Sequence, residues 1–114
     1  MTNLGKVKYI PLRGDIVDYD FSEDQKGKEI LKRRPAVIIS DYDFNKFGLA
    51  YVCPITSSKY NEPWEVYIAK GKITGTVLCN QLRAIDIDAR NLSKKDKLSK
   101  NTLDKIRDIL REII

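Results

Sequence analysis

The chain has 114 residues, a length typical of one domain, and carries 21 Lys and Arg against 16 Asp and Glu. The resulting net charge of +5 favours polyanionic partners, nucleic acids above all. The sequence contains no His, which excludes the most common general acid–base and the most common metal ligand. Any catalysis must therefore use carboxylates, Arg, Lys, Tyr or hydroxyl groups, and we expect no metal and no cofactor.

The two cysteines, Cys53 and Cys79, each lie inside an apolar run, which is typical of small core residues in a reducing compartment. A disulfide between neighbouring strands is the less favoured alternative. No apolar stretch approaches the roughly 18 residues of a membrane-spanning helix, and the N-terminus lacks a signal-peptide pattern. We therefore expect a single cytoplasmic domain over residues 1–114, with no membrane association.

Strand patterns begin early in the chain. In residues 16–21, apolar and acidic side chains alternate, which predicts a half-buried strand. After a polar loop, residues 36–39 are small or β-branched and apolar, which predicts a strand buried on both faces. Pro35 favours an extended backbone at Arg34, so this arginine is expected where the second strand enters the core.

Two interpretations of Arg34 follow from its position. A rigidly held guanidinium offers a planar fork of donors that suits a phosphate group. Alternatively, Arg33 and Arg34 are a solvated strand end, as most clusters of charge are, and composition alone favours this second interpretation.

Turn residues and a further strand follow. Residues 41–48 predict a turn or a short helical turn in which some of three aromatic rings are buried, the candidates being Tyr42, Phe44 and Phe47. Residues 49–56 predict another buried strand, with Pro54 marking its end or a sheet edge. The polar loop after this strand contains Lys59 and Tyr60.

Three more short elements are predicted before the C-terminal region. Residues 64–68 alternate as a half-buried strand, and residues 71–75 are predicted as a turn. Residues 76–80 predict a strand, and residues 81–86 predict its continuation or a bent extension. Residues 90–100 are polar and basic, with no predicted strand.

The C-terminus has the pattern of one amphipathic helix. Ser99 is a plausible N-cap, because its hydroxyl can accept from a free N–H of the first turn. Apolar residues then recur at helical spacing, namely Leu103, Ile106, Ile109, Leu110 and Ile113. Six or seven short strands followed by one helix predict a mainly β fold, a small antiparallel barrel or curled sheet closed on one face by the helix.

An ordered set of short motifs resembles the MazF/PemK family of toxins. The motifs are Gly14-Asp15, Asp20-Phe21, Gly27 with Glu29, and residues 34–40, 54–57 and 80–86, followed by Arg90 and the closing helix. The resemblance covers residues 9–113. It implies an SH3-like small barrel of the MazF/PemK/CcdB type that forms a homodimer.

The resemblance also implies an activity and its partners. Most members are toxins of toxin–antitoxin pairs that cut single-stranded RNA at short sequences without a metal. The 2′-hydroxyl attacks the adjacent phosphate, which leaves a 2′,3′-cyclic phosphate and a 5′-hydroxyl. A cognate antitoxin covers the RNA groove with an acidic, largely disordered segment.

By resemblance, Arg34 matches the family's catalytic arginine and Thr56 its catalytic threonine. Glu29 matches an acidic residue implicated in the reaction and is the best candidate for the general base, although a surface role beside a lysine is an equal alternative. The residue that acts as general acid is not assigned. One branch of the family uses an Asp where this chain has Asn80, which accepts no proton at neutral pH, so that branch's mechanism does not transfer unchanged.

Five further side chains are predicted to bind RNA, namely Arg33, Ser57, Lys59, Gln81 and Arg83. Cations track a nucleic-acid backbone, and polar side chains read base edges. Thr56 has the alternative of bonding its own backbone, and Gln81 that of tying two strands together. Trp64 is predicted as a core residue more than as a groove residue.

Two rival functions remain open at this point. One is a non-enzymatic toxin that poisons a DNA gyrase by binding, an activity known for a group with the same fold that depends on the C-terminal end of the helix. The other is an inactive RNA-binding relative, which Asn80 keeps in consideration. The presence of both Arg34 and Thr56 favours the catalytic interpretation.

Overall fold

A computed structural model describes residues 8–21, 33–58 and 62–114. The described strands are β1 (Asp15–Asp20), β2 (Arg33–Ile38), β3 (Leu49–Thr56), β4 (Glu65–Lys70), β5 (Ile73–Leu78), β6 (Arg83–Asp86) and β7 (Ser93–Lys97). The described helices are α1 (Tyr42–Asn45), α2 (Ile87–Arg90) and α3 (Lys100–Ile113), and a 3₁₀ turn (Cys79–Gln81) joins β5 to β6. The predicted mainly β fold with a C-terminal helix is confirmed.

The strands form one curled antiparallel sheet, in the order β4-β5-β3-β2-β1-β7. Strand β3 lies at its centre, with β2 along one side. On the other side, β5 pairs with the last residues of β3 and β6 pairs with its first residues. The 3₁₀ turn thus bends the chain between β5 and β6, so that both strands pair with β3, as the predicted bent extension implied.

Two apolar clusters occupy the two faces of this sheet. The helix-side cluster contains Ile16, Val37, Cys53, Ile55, Val66, Ile68, Val77, Cys79, Leu98, Ile106 and Leu110. The groove-side cluster contains Val17, Tyr19, Ala36, Ile38, Ala50, Val52, Ile85 and Ile87. Alternate residues of β2 enter each cluster, which confirms the predicted burial of this strand on both faces.

Helix α3 covers the helix-side cluster. Its N-cap is the predicted Ser99, whose hydroxyl oxygen accepts from the backbone N–H of Thr102. The helix buries Ile106 and Leu110 against the sheet. Within the part of the chain that the structure describes, there is no helix with the length and apolar character needed to cross a membrane.

The basic segment after residue 90 contains a strand that the sequence pattern did not predict. Strand β7 has the sequence SKKDK, with no apolar side chain, and pairs with β1. Buried Asp15 lies beside it and accepts from the Tyr9 hydroxyl at 2.6 Å, while Lys94 approaches its other carboxylate oxygen at 3.5 Å. Burial, followed by the hydrogen bond to Asp15, raises the pKa of Tyr9, so this hydroxyl stays protonated and keeps donating.

The predicted turn at residues 71–75 is too long. Strand β5 begins at Ile73, and Gly75 lies inside it. A Cβ at Gly75 would come within 2.4 Å of the carbonyl oxygen of Thr56, so glycine permits the close approach of β5 to β3. Asn80, predicted as the end of a strand, lies instead in the 3₁₀ turn.

Two further predictions about the middle of the chain are wrong. Pro54 is neither at the end of its strand nor at an edge, because it lies within central β3 opposite Ala36. On its other side it falls between the β5 and β6 pairings, where no ladder partner requires its missing N–H. The predicted short helical turn is present as α1, but the rings of Tyr42, Phe44 and Phe47 are exposed rather than buried.

Candidate active site

Arg34 and Thr56 lie just beyond the paired part of β2 and β3. The antiparallel register joins Ala36 to Pro54, and the same register continued by two residues places Arg34 opposite Thr56. Both residues share the sheet face of Ala36, which belongs to the groove-side cluster. The apolar face of the sheet therefore ends, at its open end, in a guanidinium and a hydroxyl group.

A cavity of about 140 Å³ separates these two side chains from the neighbouring strands. Its walls are Tyr19, Phe21, Arg34, Pro54, Ile55, Thr56, Leu78, Gln81 and Arg83. A second cavity of about 390 Å³ shares three of these residues and extends to Ala84, Ile85 and Arg90. We call the two cavities together the arginine groove, since Arg34, Arg83 and Arg90 line it.

The guanidinium of Arg34 contacts the ring of Phe21. Its central carbon lies 4.6 Å from the ring centroid, which is within the range of a cation–π interaction. Arg34 makes no hydrogen bond or ion pair with the described residues, so its N–H donors are available to a ligand. The ring thus holds the guanidinium in place and leaves its N–H groups free to donate hydrogen bonds.

Thr56 is held from two sides. Its hydroxyl oxygen accepts from the backbone N–H of Ser58 at 3.3 Å, which is the backbone contact considered as the alternative role. That contact uses a lone pair and leaves the hydroxyl hydrogen for another acceptor. On the other side, Thr56 pairs with Thr76 of β5, at the point where Gly75 allows the strands to approach.

Gln81 and Arg83 complete the walls near Arg34. Gln81 is exposed in the 3₁₀ turn, and its amide forms no hydrogen bond with the described residues, so it does not tie two strands together there. The Arg83 guanidinium lies 5.9 Å from the centroid of the Phe21 ring and lines both cavities. Two cations thus approach one aromatic ring.

The other predicted site residues lie in different surroundings. Arg33 donates to the carboxylate of Asp20 at 2.7 Å and to the backbone carbonyls of Asp18 and Asn91 at 3.0 Å each. This network joins β1, β2 and the turn before β7, and an RNA contact by Arg33 stays a prediction. Ser57 is exposed directly after β3. Glu29 and Lys59 lie outside the described residues.

A third cavity, of about 470 Å³, lies away from Arg34 beside the C-terminal end of α3. Trp64 and Asn80 line it together with Leu82, Ile113 and Ile114. Asn80 thus lines a different cavity from that of the adjacent Gln81. Trp64 is half-buried and belongs to neither apolar cluster, so its predicted core position is not confirmed, and it does not line the arginine groove.

Cysteine chemistry does not contribute to the arginine groove. Cys53 and Cys79 are buried, free thiols in the helix-side cluster. The hydrogen bond with Cys79, followed by burial, raises the pKa of the Cys53 thiol, which keeps it protonated. In the described ranges, no three Asp, Glu or Cys side chains are grouped so that they could hold a metal ion.

Sequence reasoning did not assign a role to three groove residues, Tyr19, Phe21 and Arg90. Tyr19 and Phe21 share one face of β1 by the alternation that predicted the strand, and this face leads into the groove. Their alternation was visible in the sequence, but the approach of Arg34 depends on the pairing of Tyr19 with Arg34 across β1 and β2. Arg90 lies at the end of α2 and donates to the carbonyl of Asp20 at 3.3 Å.

Comparison with known proteins gives consistent matches over this fold. Residues 12–114 match the family of PemK-like, MazF-like toxins of type II toxin–antitoxin systems. The endoribonuclease toxin MazF of Escherichia coli K12 is 32% identical over 101 residues, which cover 88% of this chain and 90% of that protein. The endoribonuclease toxin ChpB of the same organism is 33% identical over 85 residues, covering 68% and 72% respectively.

A solved structure gives the same result. A MazE–MazF crystal structure from Deinococcus radiodurans superposes with a TM-score of 0.84 at 30% identity and covers 92% of this chain and 96% of that one. The family match over residues 12–114 includes all residues of the arginine groove. The chain therefore belongs to the family of PemK-like, MazF-like toxins of type II toxin–antitoxin systems.

Proposed function

We propose that this chain, as one domain over residues 1–114, is a toxin endoribonuclease that cuts single-stranded RNA, such as mRNA, at a short sequence. The observation that carries the proposal is that Arg34 and Thr56 line one cavity together, each with hydrogen-bond donors available. The names of the E. coli relatives, both endoribonuclease toxins, support this reaction class. The activity belongs in the cytoplasm, where mRNA is available.

The proposed reaction is an internal transfer at one phosphate. The 2′-oxygen of the preceding nucleotide forms a bond to phosphorus and the bond to the 5′-oxygen breaks, which gives a 2′,3′-cyclic phosphate and a 5′-hydroxyl. A base takes the proton of the 2′-hydroxyl, and an acid gives a proton to the departing 5′-oxygen. Protein donors need only stabilise the negative charge that grows on the non-bridging oxygens.

Arg34 is the main donor to those oxygens in this proposal. Its planar guanidinium presents two parallel N–H groups to a phosphate, and the Phe21 ring keeps it at the cavity. Thr56, on the neighbouring strand, donates its hydroxyl hydrogen while its oxygen keeps the contact with Ser58. Neither contact needs a metal or a cofactor.

The remaining predicted residues serve binding. Gln81 has an unused amide at the groove and reads a base edge, and Arg83 holds the RNA backbone. Ser57, directly after β3, contacts RNA in this proposal, as does Lys59, and Arg33 contributes positive charge at the start of β2. An acidic antitoxin segment binds the same positive surface and blocks RNA, an interaction that weakens with salt. The toxin acts as a homodimer.

End mapping of a cleaved RNA tests the reaction. The purified protein is incubated with a long RNA in EDTA, and the fragment ends are identified. We expect cuts at a short repeated sequence with cyclic phosphate and 5′-hydroxyl ends, and no cuts in a DNA of the same sequence. An intact RNA would favour the rival functions, a gyrase-binding toxin or an inactive RNA-binding relative.

Glu29 is the proposed general base, and Glu29→Gln tests it. Removing a positioned base is expected to lower the cleavage rate by about a hundredfold to ten-thousandfold, while the affinity for RNA is kept. Rates under single-turnover conditions and binding to an uncleavable 2′-deoxy substrate separate the two effects. An unchanged rate would place the base elsewhere.

A further inference from the structure

Thr76 of β5 lies directly beside Thr56 of β3. The two residues are register partners, so their side chains project from the same face of the sheet, which is the face of the arginine groove. The strands approach closely here, because a Cβ at Gly75 would come within 2.4 Å of the Thr56 carbonyl oxygen. Since β5 and β2 pair with opposite sides of β3, Thr76 lies on the side of Thr56 away from Arg34.

The Thr76 hydroxyl is a buried polar group without a hydrogen bond. The residue is 0% exposed, and its hydroxyl oxygen has no hydrogen-bond partner among the described residues. Buried hydroxyl groups are nearly always paired, because an unpaired one loses its bonds to water on folding and so destabilises the protein. Valine has nearly the same shape without this cost, so the stability of the free protein does not account for a threonine here.

Thr56 offers the acceptor that this hydroxyl lacks. The Thr56 hydroxyl oxygen has two lone pairs, and the backbone N–H of Ser58 occupies one of them at 3.3 Å. Directly opposed side chains on adjacent strands have Cβ atoms about 4.5 to 5.5 Å apart, a separation that two threonine hydroxyls can bridge by rotation about χ1. The Thr76 hydroxyl can therefore donate to the second lone pair of Thr56.

A hydrogen bond from Thr76 would determine where the hydroxyl hydrogen of Thr56 points. With both lone pairs of Thr56 occupied, its O–H keeps one direction, which leads away from β5 and toward the groove that Thr56 lines. The bond also polarises the Thr56 hydroxyl, because hydrogen bonds in a chain strengthen one another. A phosphate oxygen in the groove would then meet a donor that is already oriented toward it.

We infer that Thr76 is a positioning residue, which holds the Thr56 hydroxyl as a donor toward the scissile phosphate of bound RNA. This inference rests on the proposed function, because it gives Thr76 a part in the same reaction. Thr76 acts only through Thr56 and does not contact the RNA. Its hydroxyl is unpaired in the free protein and becomes paired when the substrate orders Thr56, so its removal should lower kcat and leave KM unchanged.

Thr76→Val and Thr76→Ser separate this role from packing. Thr76→Val keeps the shape and removes the unpaired hydroxyl, so the melting temperature should rise by about 2 °C or more while kcat falls about three- to tenfold. Thr76→Ser keeps the hydroxyl and removes a buried methyl group, so the melting temperature should fall while kcat stays within about twofold of wild type. A packing role would instead make kcat follow the melting temperature in both variants.

Thr74→Val is the matched control, because Thr74 is the next residue on the same face of β5 and is exposed. It should change neither kcat nor the melting temperature. Thr76→Val is also made in a Thr56→Val background, where it should not slow cleavage further, because its effect passes through Thr56. Steady-state kinetics on one RNA with a mapped cut, and thermal unfolding followed by circular dichroism, measure these quantities.

A crystal structure with an uncleavable 2′-deoxy oligonucleotide tests the contact itself. The Oγ1 atoms of Thr56 and Thr76 should lie about 2.7 to 2.8 Å apart in the complex, the usual distance for a hydrogen bond between hydroxyl groups. Two oxygens that stay beyond hydrogen-bond distance in the complex would overturn the inference.

The kinetic outcomes distinguish this inference from the proposed function. If wild type cleaves RNA and Thr76→Val has the same kcat, the inference alone is overturned. If wild type leaves RNA intact, the proposed function fails, and the inference fails with it. A melting temperature of Thr76→Val at or below that of wild type would contradict the unpaired state of the hydroxyl, on which the inference depends.

Discussion

The two faces of the central sheet follow the same alternation but end differently. On one face, α3 covers the apolar residues, and the helix-side cluster is closed by Ile106 and Leu110. On the other face, the groove-side cluster continues along β2 and β3 until Arg34 and Thr56 replace apolar residues at the open end. This difference fits the proposed function, in which the covered face supplies stability and the open end supplies the proposed catalytic donors.

Arg34→Ala is expected to have the largest effect on activity and a small effect on folding. Losing one charged donor to a developing phosphorane costs about 3 to 4 kcal/mol, or roughly a hundredfold to a thousandfold in rate. The side chain is exposed and makes no ion pair with the described residues, so the free energy of unfolding should change little. Single-turnover cleavage and denaturant unfolding measure the two quantities.

Arg34→Lys is the control for this experiment, because lysine keeps the charge and loses the planar fork of donors. A rate close to that of Arg34→Ala would show that fork geometry matters more than charge. A large fall in stability for either variant would contradict the division of labour between the two faces.

Ile106→Ala should show the opposite behaviour. The side chain is fully buried between α3 and the sheet, and its truncation leaves a cavity that costs about 2 to 5 kcal/mol of unfolding free energy. Since it lies on the face away from the groove, the cleavage rate of the folded molecules should stay near that of wild type. Urea unfolding and an activity assay below the melting transition test this, and a specific rate loss would contradict it.

Phe21→Leu is expected to have the smallest effect on the cleavage rate. It tests whether the aromatic ring positions Arg34. It removes the ring that contacts Arg34 at 4.6 Å, an interaction worth about 0.5 to 1 kcal/mol at an exposed site. The cleavage rate should fall a few-fold, mainly in kcat, because the guanidinium remains present but less well positioned. Phe21→Trp, which keeps an aromatic face, should restore the rate, and failure to do so would indicate a packing role instead.

Strands with alternating apolar and polar side chains could be predicted from the sequence. Strands that form through backbone pairing alone could not. The apolar patterns of β1, β2 and β3 and the stripe of α3 predicted those elements. Strand β7 has no apolar side chain and forms by backbone pairing with β1. Its sequence therefore has no hydrophobic periodicity from which a strand could be predicted. Gly75 resembles a turn residue, yet it lies inside a strand because Thr56 leaves no room for a Cβ.

The candidate site was predictable by residue but not by arrangement. The resemblance pointed to Arg34 and Thr56, whose convergence depends on the register between β2 and β3. Neither the ring contact of Phe21 nor the use of Arg33 in a network with Asp20 follows from residue spacing, since both depend on how strands pair. The exposed rings of α1 were predicted as partly buried because aromatic side chains usually favour burial, yet here they remain exposed.

A double-mutant cycle on Arg34 and Thr56 tests most directly whether both act on one phosphate. Single-turnover rates in EDTA are measured for wild type, Arg34→Ala, Thr56→Ala and the double variant on one RNA with a mapped cut. Thr56→Ala alone should cost about 1.5 to 3 kcal/mol, the range for a hydrogen bond to a charged group. If the two groups act as a unit, the double variant should be scarcely slower than Arg34→Ala, because the second loss removes little that remains. Fully additive losses, or wild-type cleavage by Arg34→Ala, would contradict the site described above.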